Sequence, residues 1–204
     1  MDQFSILKCS NLSYSIGYKK ILKSINFNVQ AGEIVGLTGD NGSGKSSLLK
    51  LLLKKNKQIF WNCTTTPQKF KISYLGHEPG LYSSLTLGEN LDYFSGISQG
   101  RMNQKKMKEL LALFKLEKRL YDPVYTFSRG MLQKAALIRS IGMNSCLYLL
   151  DEPYTGLDES SVAILNEAIL DLKKESSVIL VVHSSELVKK LTDRIVHLEK
   201  GETV

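Results

Sequence analysis

Gly39-Asp40-Asn41-Gly42-Ser43-Gly44-Lys45-Ser46 fits the phosphate-binding pattern G-x-x-x-x-G-K-[ST]. Glycines let a backbone wrap closely around an anion, with successive N–H groups turned inward. In this arrangement Lys45 would reach the β- and γ-phosphates of a nucleoside triphosphate. The Ser46 hydroxyl would ligate Mg²⁺, and Ser47 would complete the contacts of the loop with nucleotide. Farther along, the apolar run Cys146-Leu147-Tyr148-Leu149-Leu150 ends in Asp151-Glu152. Paired carboxylates there suit a metal-holding aspartate and a glutamate that polarises water. His183 closes a second apolar run, Val178 to Val182, and could hydrogen-bond a γ-phosphate and orient the attacking water.

These residues need elements that bring them together. Ile34-Val35-Gly36-Leu37 reads as a buried strand, and Ser47 to Leu52 as a helix whose N-terminus adds favourable positive potential for phosphate. The residues before it look β-rich, over Ser5–Ser15 and Ile25–Gln30, with a tight turn at Gln30-Ala31-Gly32-Glu33. Phe70–Leu75 is another strand. Between about 85 and 126 the pattern becomes helical, with Met107, Leu110, Leu111 and Phe114 on one face. Helix, strand, helix, strand, helix then follow over 131–141, 146–150, 160–172, 177–182 and 185–191. That alternation argues for an α/β fold with a parallel sheet flanked by helices. Ligands bind at the carboxyl ends of such strands, so Asp151 and His183 can share a mouth with the loop at 39–46.

Composition narrows the class. The 204 residues suit one compact domain, and the 43% hydrophobic content is that of a soluble globular protein. No apolar run approaches the roughly 20 residues that cross a bilayer, and Met1 to Ser5 lack a signal-peptide layout. These features predict a cytoplasmic protein. Cys9, Cys63 and Cys146 form no C-x-x-C and read as reduced and structural. The net charge of +7 comes from scattered lysines and reads as a solvated surface, with no nucleic-acid partner expected.

Phe127-Ser128-Arg129-Gly130-Met131 opens a helix and offers a second anion site through Ser128 and Gly130. With it, the order of motifs resembles the ATP-binding-cassette (ABC) ATPases over nearly the whole chain. Gly39–Ser46 matches Walker A, 127–131 the signature, Leu147–Glu152 Walker B, Thr155–Asp158 the D-loop and His183 the switch histidine. The resemblance implies a P-loop NTPase fold, with a mostly parallel sheet, an N-terminal antiparallel β subdomain and an inserted α-helical subdomain at about 85–126. It implies ATP and Mg²⁺ as cofactors, with Ser46 and Asp151 at the metal. It also implies a head-to-tail homodimer in which Ser128 and Gly130 serve the partner's nucleotide, together with transmembrane permease subunits. The family's adenine-stacking aromatic corresponds to Tyr14 or Tyr18, with Tyr14 the slightly better match.

Two departures stand out. Arg129 and Met131 alter the signature, and His77 stands where the family has its Q-loop glutamine. The stretch Tyr74-Leu75-Gly76-His77-Glu78-Pro79-Gly80-Leu81-Tyr82, with Leu85-Thr86 and Glu89-Asn90-Leu91, looks like the haem-exporter cassette of cytochrome c maturation (CcmA-type). That subfamily is also short; here 31 residues separate Lys45 from His77. The implied role is the ATPase subunit of a haem exporter, peripheral on the cytoplasmic face of the inner (plasma) membrane. The alternatives are an exporter cassette for a drug, ion or lipid, a soluble cassette acting on ribosomes or DNA, and a non-hydrolysing regulator. The intact Lys45, Asp151, Glu152 and His183 argue against the last.

Overall fold

A computed structural model describes residues 5–54, 56–62, 70–98 and 102–204. Two long strands, β1 (Ser5–Ile16) and β2 (Lys19–Gln30), pair antiparallel across a turn at Gly17-Tyr18. Then come β3 (Ile34–Thr38), helix α1 (Lys45–Leu52), β4 (Ile59–Trp61) and β5 (Phe70–Leu75). Helices α2 (Leu87–Ile97) and α3 (Gln104–Leu113) fill the middle of the chain. The rest alternates: α4 (Arg129–Gly142), β6 (Ser145–Asp151), α5 (Glu159–Leu172), β7 (Ser177–Val181), α6 (Ser185–Leu191), β8 (Arg194–Glu199) and β9 (Glu202–Thr203).

The main sheet runs β5-β6-β7-β3-β8-β9, parallel except for the last strand. Its inner strands β6 and β7 are buried at every residue, as strands covered on both faces must be. Side chains alternate between two cores. Leu147, Leu149, Ile179 and Val181 face α1 and the β2-β1-β4 sheet. Tyr148, Leu150, Val178 and Leu180 face α2 to α6. The chain thus has three layers, and the carboxyl ends of β3, β5, β6 and β7 meet at one edge of the sheet.

The helical middle is fixed by local chemistry. Thr86 caps α2 with its hydroxyl, and Glu89 returns a carboxylate to the Thr86 N–H. These hydrogen bonds hold the Glu89 carboxyl below its ordinary value. Asn90, fully buried, ties the 82–86 turn to α2 through Tyr82 and Thr86. Beyond α3 the expected helical stretch gives way to single turns at 117–119 and 124–126.

Three features differ from the sequence reading. Strand β2 begins at Lys19 rather than Ile25; on this edge strand Lys19 and Lys20 are both exposed and only Leu22 is buried before Ile25, so the first half shows little apolar alternation. The β8–β9 hairpin alternates too sparsely to register as strands, and β4, though apolar, is only three residues long. Cys9 is free and buried, with its thiol pushed up to about 12 by burial, but Cys146 is disulfide-bonded. Spacing along the chain carries no sign of which thiols the fold brings together. Cys63 lies outside the described residues. Among those residues no helix is long and apolar enough to cross a membrane.

Candidate functional site: a phosphate loop facing paired carboxylates

The loop between β3 and α1 is built from backbone that only glycine adopts readily. Gly39 sits at φ 138° and Gly44 at φ 111°, and Gly44 is the N-cap of α1. A Cβ on Gly39 would stand 2.1 Å from the Leu198 carbonyl oxygen of β8. The loop is therefore wedged against the sheet. Gly39→Ala should cost at least about 2 kcal/mol of stability and weaken nucleotide binding, read by urea unfolding and ATP titration. Parental values in both would show that β8 yields to the methyl group.

Lys45 is 6% exposed, and its ammonium folds back onto the loop. It donates to the carbonyls of Gly39 (2.7 Å) and Asp40 (2.9 Å). The Ser43 N–H donates to the Asp40 carbonyl at 3.1 Å, while the Ser43 hydroxyl is buried without a partner among the described residues. Asp40, Asn41, Gly42 and Ser46 are open to solvent, and Ser47 is half-buried. The loop thus encloses a buried cation at the N-terminus of α1, an arrangement suited to a phosphate.

Asp151, at the end of β6, is 4% exposed, and neither carboxylate oxygen has a hydrogen-bond partner among the described residues. Burial pushes its carboxyl above the ordinary value. The Ser46 hydroxyl opposes the shift most strongly, though short of a formal hydrogen bond; Glu152 adds to the shift, and Lys50 and Lys45 oppose it. An unpartnered buried carboxylate beside a hydroxyl and two cations is the environment a hard cation with water ligands would satisfy.

Glu152 takes φ 51°, a left-handed conformation rare outside glycine and Asn. Its N–H continues the β6–β7 ladder to the Val181 carbonyl (3.2 Å), and its own carbonyl accepts from the Thr155 N–H (3.2 Å). The turn throws the side chain across to the end of the neighbouring strand. There Glu152 Oε1 meets His183 Nε2 at 2.9 Å. Thirty-one residues apart in sequence, the two are adjacent because β6 and β7 are neighbours, with Asp151 beside Val181.

His77 also reaches this edge. A cleft of about 260 Å³ is lined by Gly76, His77, Arg129, Gln133, Asp151 and Glu152, among others. Of the departures from the family pattern, Arg129 and His77 thus share a cleft with the carboxylates. The backbone around His77 is held by Arg139, whose guanidinium donates to the carbonyls of Tyr74 and Pro79 (3.4 Å each) and lies 5.0 Å from the Phe94 ring. Arg139 lies in the last turn of α4, and its sequence position alone does not distinguish it from any other basic residue near a helix C-terminus.

Ser128 and Gly130 contact residues 131 and 156 rather than the phosphate loop. Ser128 caps α4, accepting from the Met131 N–H at 3.3 Å. A Cβ on Gly130 would lie 2.8 Å from the Gly156 carbonyl oxygen. The turn at 153–158 is pinned to α4 from the same side. Gln133 donates to the Pro153 carbonyl, and Lys134 pairs with Asp158, at 2.8 and 2.7 Å. Tyr14 is half-buried against the α1-side core and opposite Leu22, the residue a Cβ on Gly44 would strike; Tyr18 is fully exposed at the hairpin tip.

Sequence and structure comparisons agree with this geometry. The ABC transporter family model matches residues 22–155. An uncharacterised ABC transporter ATP-binding protein of Methanocaldococcus jannaschii, MJ1023, is 33% identical over 201 residues, covering 97% of this chain and 76% of the relative. The cytochrome c biogenesis ATP-binding export protein CcmA of Cupriavidus pinatubonensis is 31% identical over 173 residues, covering 80% of this chain and 76% of the relative. A solved structure of an ATP-binding subunit of an ABC transporter superposes with TM-score 0.85 at 29% identity, covering 97% of this chain and 88% of that one. With the phosphate loop, the strand-end carboxylates and the histidine in place, the chain belongs to the ABC transporter family and is an ATP-binding subunit of it, an ATPase.

Proposed function

We propose that this cassette binds ATP with Gly39, Asp40, Asn41, Gly42, Ser43, Gly44, Lys45, Ser46 and Ser47, and hydrolyses it at Glu152 to drive a membrane permease. The observation that carries this reading is the unpartnered Asp151 carboxylate facing Ser46, beside the Glu152–His183 contact. Ser46 and Asp151 would hold Mg²⁺, which supplies charge neutralisation at the β- and γ-phosphates when bound. Lys45 exchanges its two loop carbonyls for phosphate oxygens. Glu152 accepts a proton from the attacking water, and His183 holds the Glu152 carboxylate and then the γ-phosphate. His77 takes the Q-loop position at the same cleft, and Tyr14 is the aromatic that would stack on adenine.

The chain acts as one cassette, 1–204, with a helical subdomain at about 85–126. It pairs head-to-tail with a second copy, so that Ser128 and Gly130 close on the partner's ATP. It sits on the cytoplasmic face of the inner membrane through its permease. The cargo we assign is haem for cytochrome c maturation. Residues 74–91 and the likeness to CcmA support it, while the likeness to MJ1023 is as great and names no cargo. The test uses Glu152→Gln with ATP and Mg²⁺ as bait on native membranes, read by mass spectrometry. Small polytopic subunits with haem-handling proteins are the expected catch. An unrelated permease would keep the motor and discard haem, and ribosomes or DNA alone would overturn transport.

A further inference from the structure

Four buried side-chain atoms without a partner lie at the carboxyl edge of the sheet: Ser43 Oγ, both Asp151 oxygens and Tyr74 Oη. The first three belong to the nucleotide site already described, and Tyr74 has no role there. Strand β5 runs parallel beside β6 with Tyr74 opposite Leu149, two residues short of Asp151. Tyr74, Leu149 and Asp151 therefore lie on one face, the face turned to α1, and Tyr74 packs in that core. The phenol reaches past the strand end: a Cβ on Gly76 would stand 2.7 Å from Tyr74 Oη. Gly76 thus leaves room for a hydroxyl that satisfies nothing in the described chain. Burying a hydroxyl with no partner is unfavourable, and phenylalanine would fill the same space without that cost. Such a group is kept where a ligand-bound state uses it. The Asp151 charge acts on this phenol, which burial first and that charge second push up to about 12.

We propose that Tyr74 is a positioning residue for the metal site. In the metal-bound state its hydroxyl, unpartnered here, would turn to donate a hydrogen bond to one Asp151 carboxylate oxygen and leave the other for the metal's water shell. The inference rests on the assignment of Asp151 to the metal. A carboxylate held at one oxygen presents the other in a fixed direction, as supporting hydrogen bonds do around metal ligands. Gly76 is part of the device, since any side chain there would displace the phenol.

The test measures Mn²⁺ binding by electron paramagnetic resonance, with a non-hydrolysable ATP analogue, on the full chain. Tyr74→Phe should weaken Mn²⁺ binding about tenfold. Its affinity for the analogue in EDTA should stay within twofold, and its metal-free thermal midpoint should be unchanged or higher. Gly76→Ala should weaken Mn²⁺ in the same direction by turning the phenol aside. Mn²⁺ affinity within twofold of the parent in Tyr74→Phe overturns the proposal. Asp151→Asn separates the two layers of the argument. If it loses Mn²⁺ while Tyr74→Phe does not, only Tyr74 is wrongly assigned. If Asp151→Asn binds Mn²⁺ as the parent does, the metal assignment falls and Tyr74 falls with it.

Discussion

Lys45→Ala is expected to abolish ATP hydrolysis, lowering kcat/KM by about 10²- to 10⁴-fold, or about 3–5 kcal/mol of transition-state stabilisation. The ammonium is nearly buried and, among the described residues, is held by two loop carbonyls, those of Gly39 and Asp40. Those two bonds place it at the centre of the loop before nucleotide arrives, so little reorganisation is needed when phosphate replaces them. Alanine removes the side-chain cation that the loop encloses. It also leaves two carbonyls facing the anion. Phosphate would then meet backbone N–H groups and the α1 terminus alone, which favour it less than a full charge does. The loop itself should survive, because Gly39, Gly42 and Gly44 set its path. Steady-state ATPase assays and a thermal melt check this together. A folded Lys45→Ala protein turning over within tenfold of the parent would remove the 39–46 loop from the chemistry.

What the sequence exposed depended on how local the cause was. The phosphate loop was legible because its glycines, lysine and serine are contiguous, and one short strand and one helix turn position them. The carboxylates and His183 were legible because each ends a fully apolar run, and parallel strands gather their ends at one edge. Arg129 and His77 could be seen as departures, yet nothing in the sequence said they share a cleft with Glu152. That needs the path of α4 relative to β5 and β6. The Gly130–Gly156 approach and the Lys134–Asp158 pair were hidden for the same reason, since both join segments more than 20 residues apart. Strand β8 was missed although it lies beside β3. Its Arg194-Ile195-Val196-His197-Leu198-Glu199 buries only Val196 and Leu198, too sparse an alternation to stand out at six residues. Tyr74 illustrates the opposite limit. It read as an ordinary aromatic in a strand, and only the unpartnered hydroxyl over Gly76 sets it apart.

Glu152→Gln should bind ATP normally, hydrolyse it about 10²- to 10⁴-fold more slowly, and accumulate as an ATP-bound dimer. The substitution is close to isosteric and keeps the hydrogen-bonding reach to His183, 2.9 Å from the native carboxylate. It leaves Asp151 and Lys45 untouched, so phosphate and metal contacts persist. What it removes is the capacity to take a proton from water. The backbone sharpens the expectation. A residue at φ 51° is strained unless it is glycine, and Glu152 is held there by the Val181 and Thr155 hydrogen bonds rather than by its own preference. Strain of this kind serves to aim a side chain, here toward the ends of β6 and β7 where the γ-phosphate would lie. Glutamine would be aimed the same way, so lost turnover would report chemistry and not misplacement. Hydrolysis is also what would reopen a dimer closed on ATP, so a cassette unable to hydrolyse should remain closed. Single-turnover assays with gel filtration in ATP test both halves. Parental turnover in Glu152→Gln would show that another group activates the water. Slow turnover with no dimer would detach the closing of the interface from ATP binding and leave Ser128 and Gly130 without a partner site to serve.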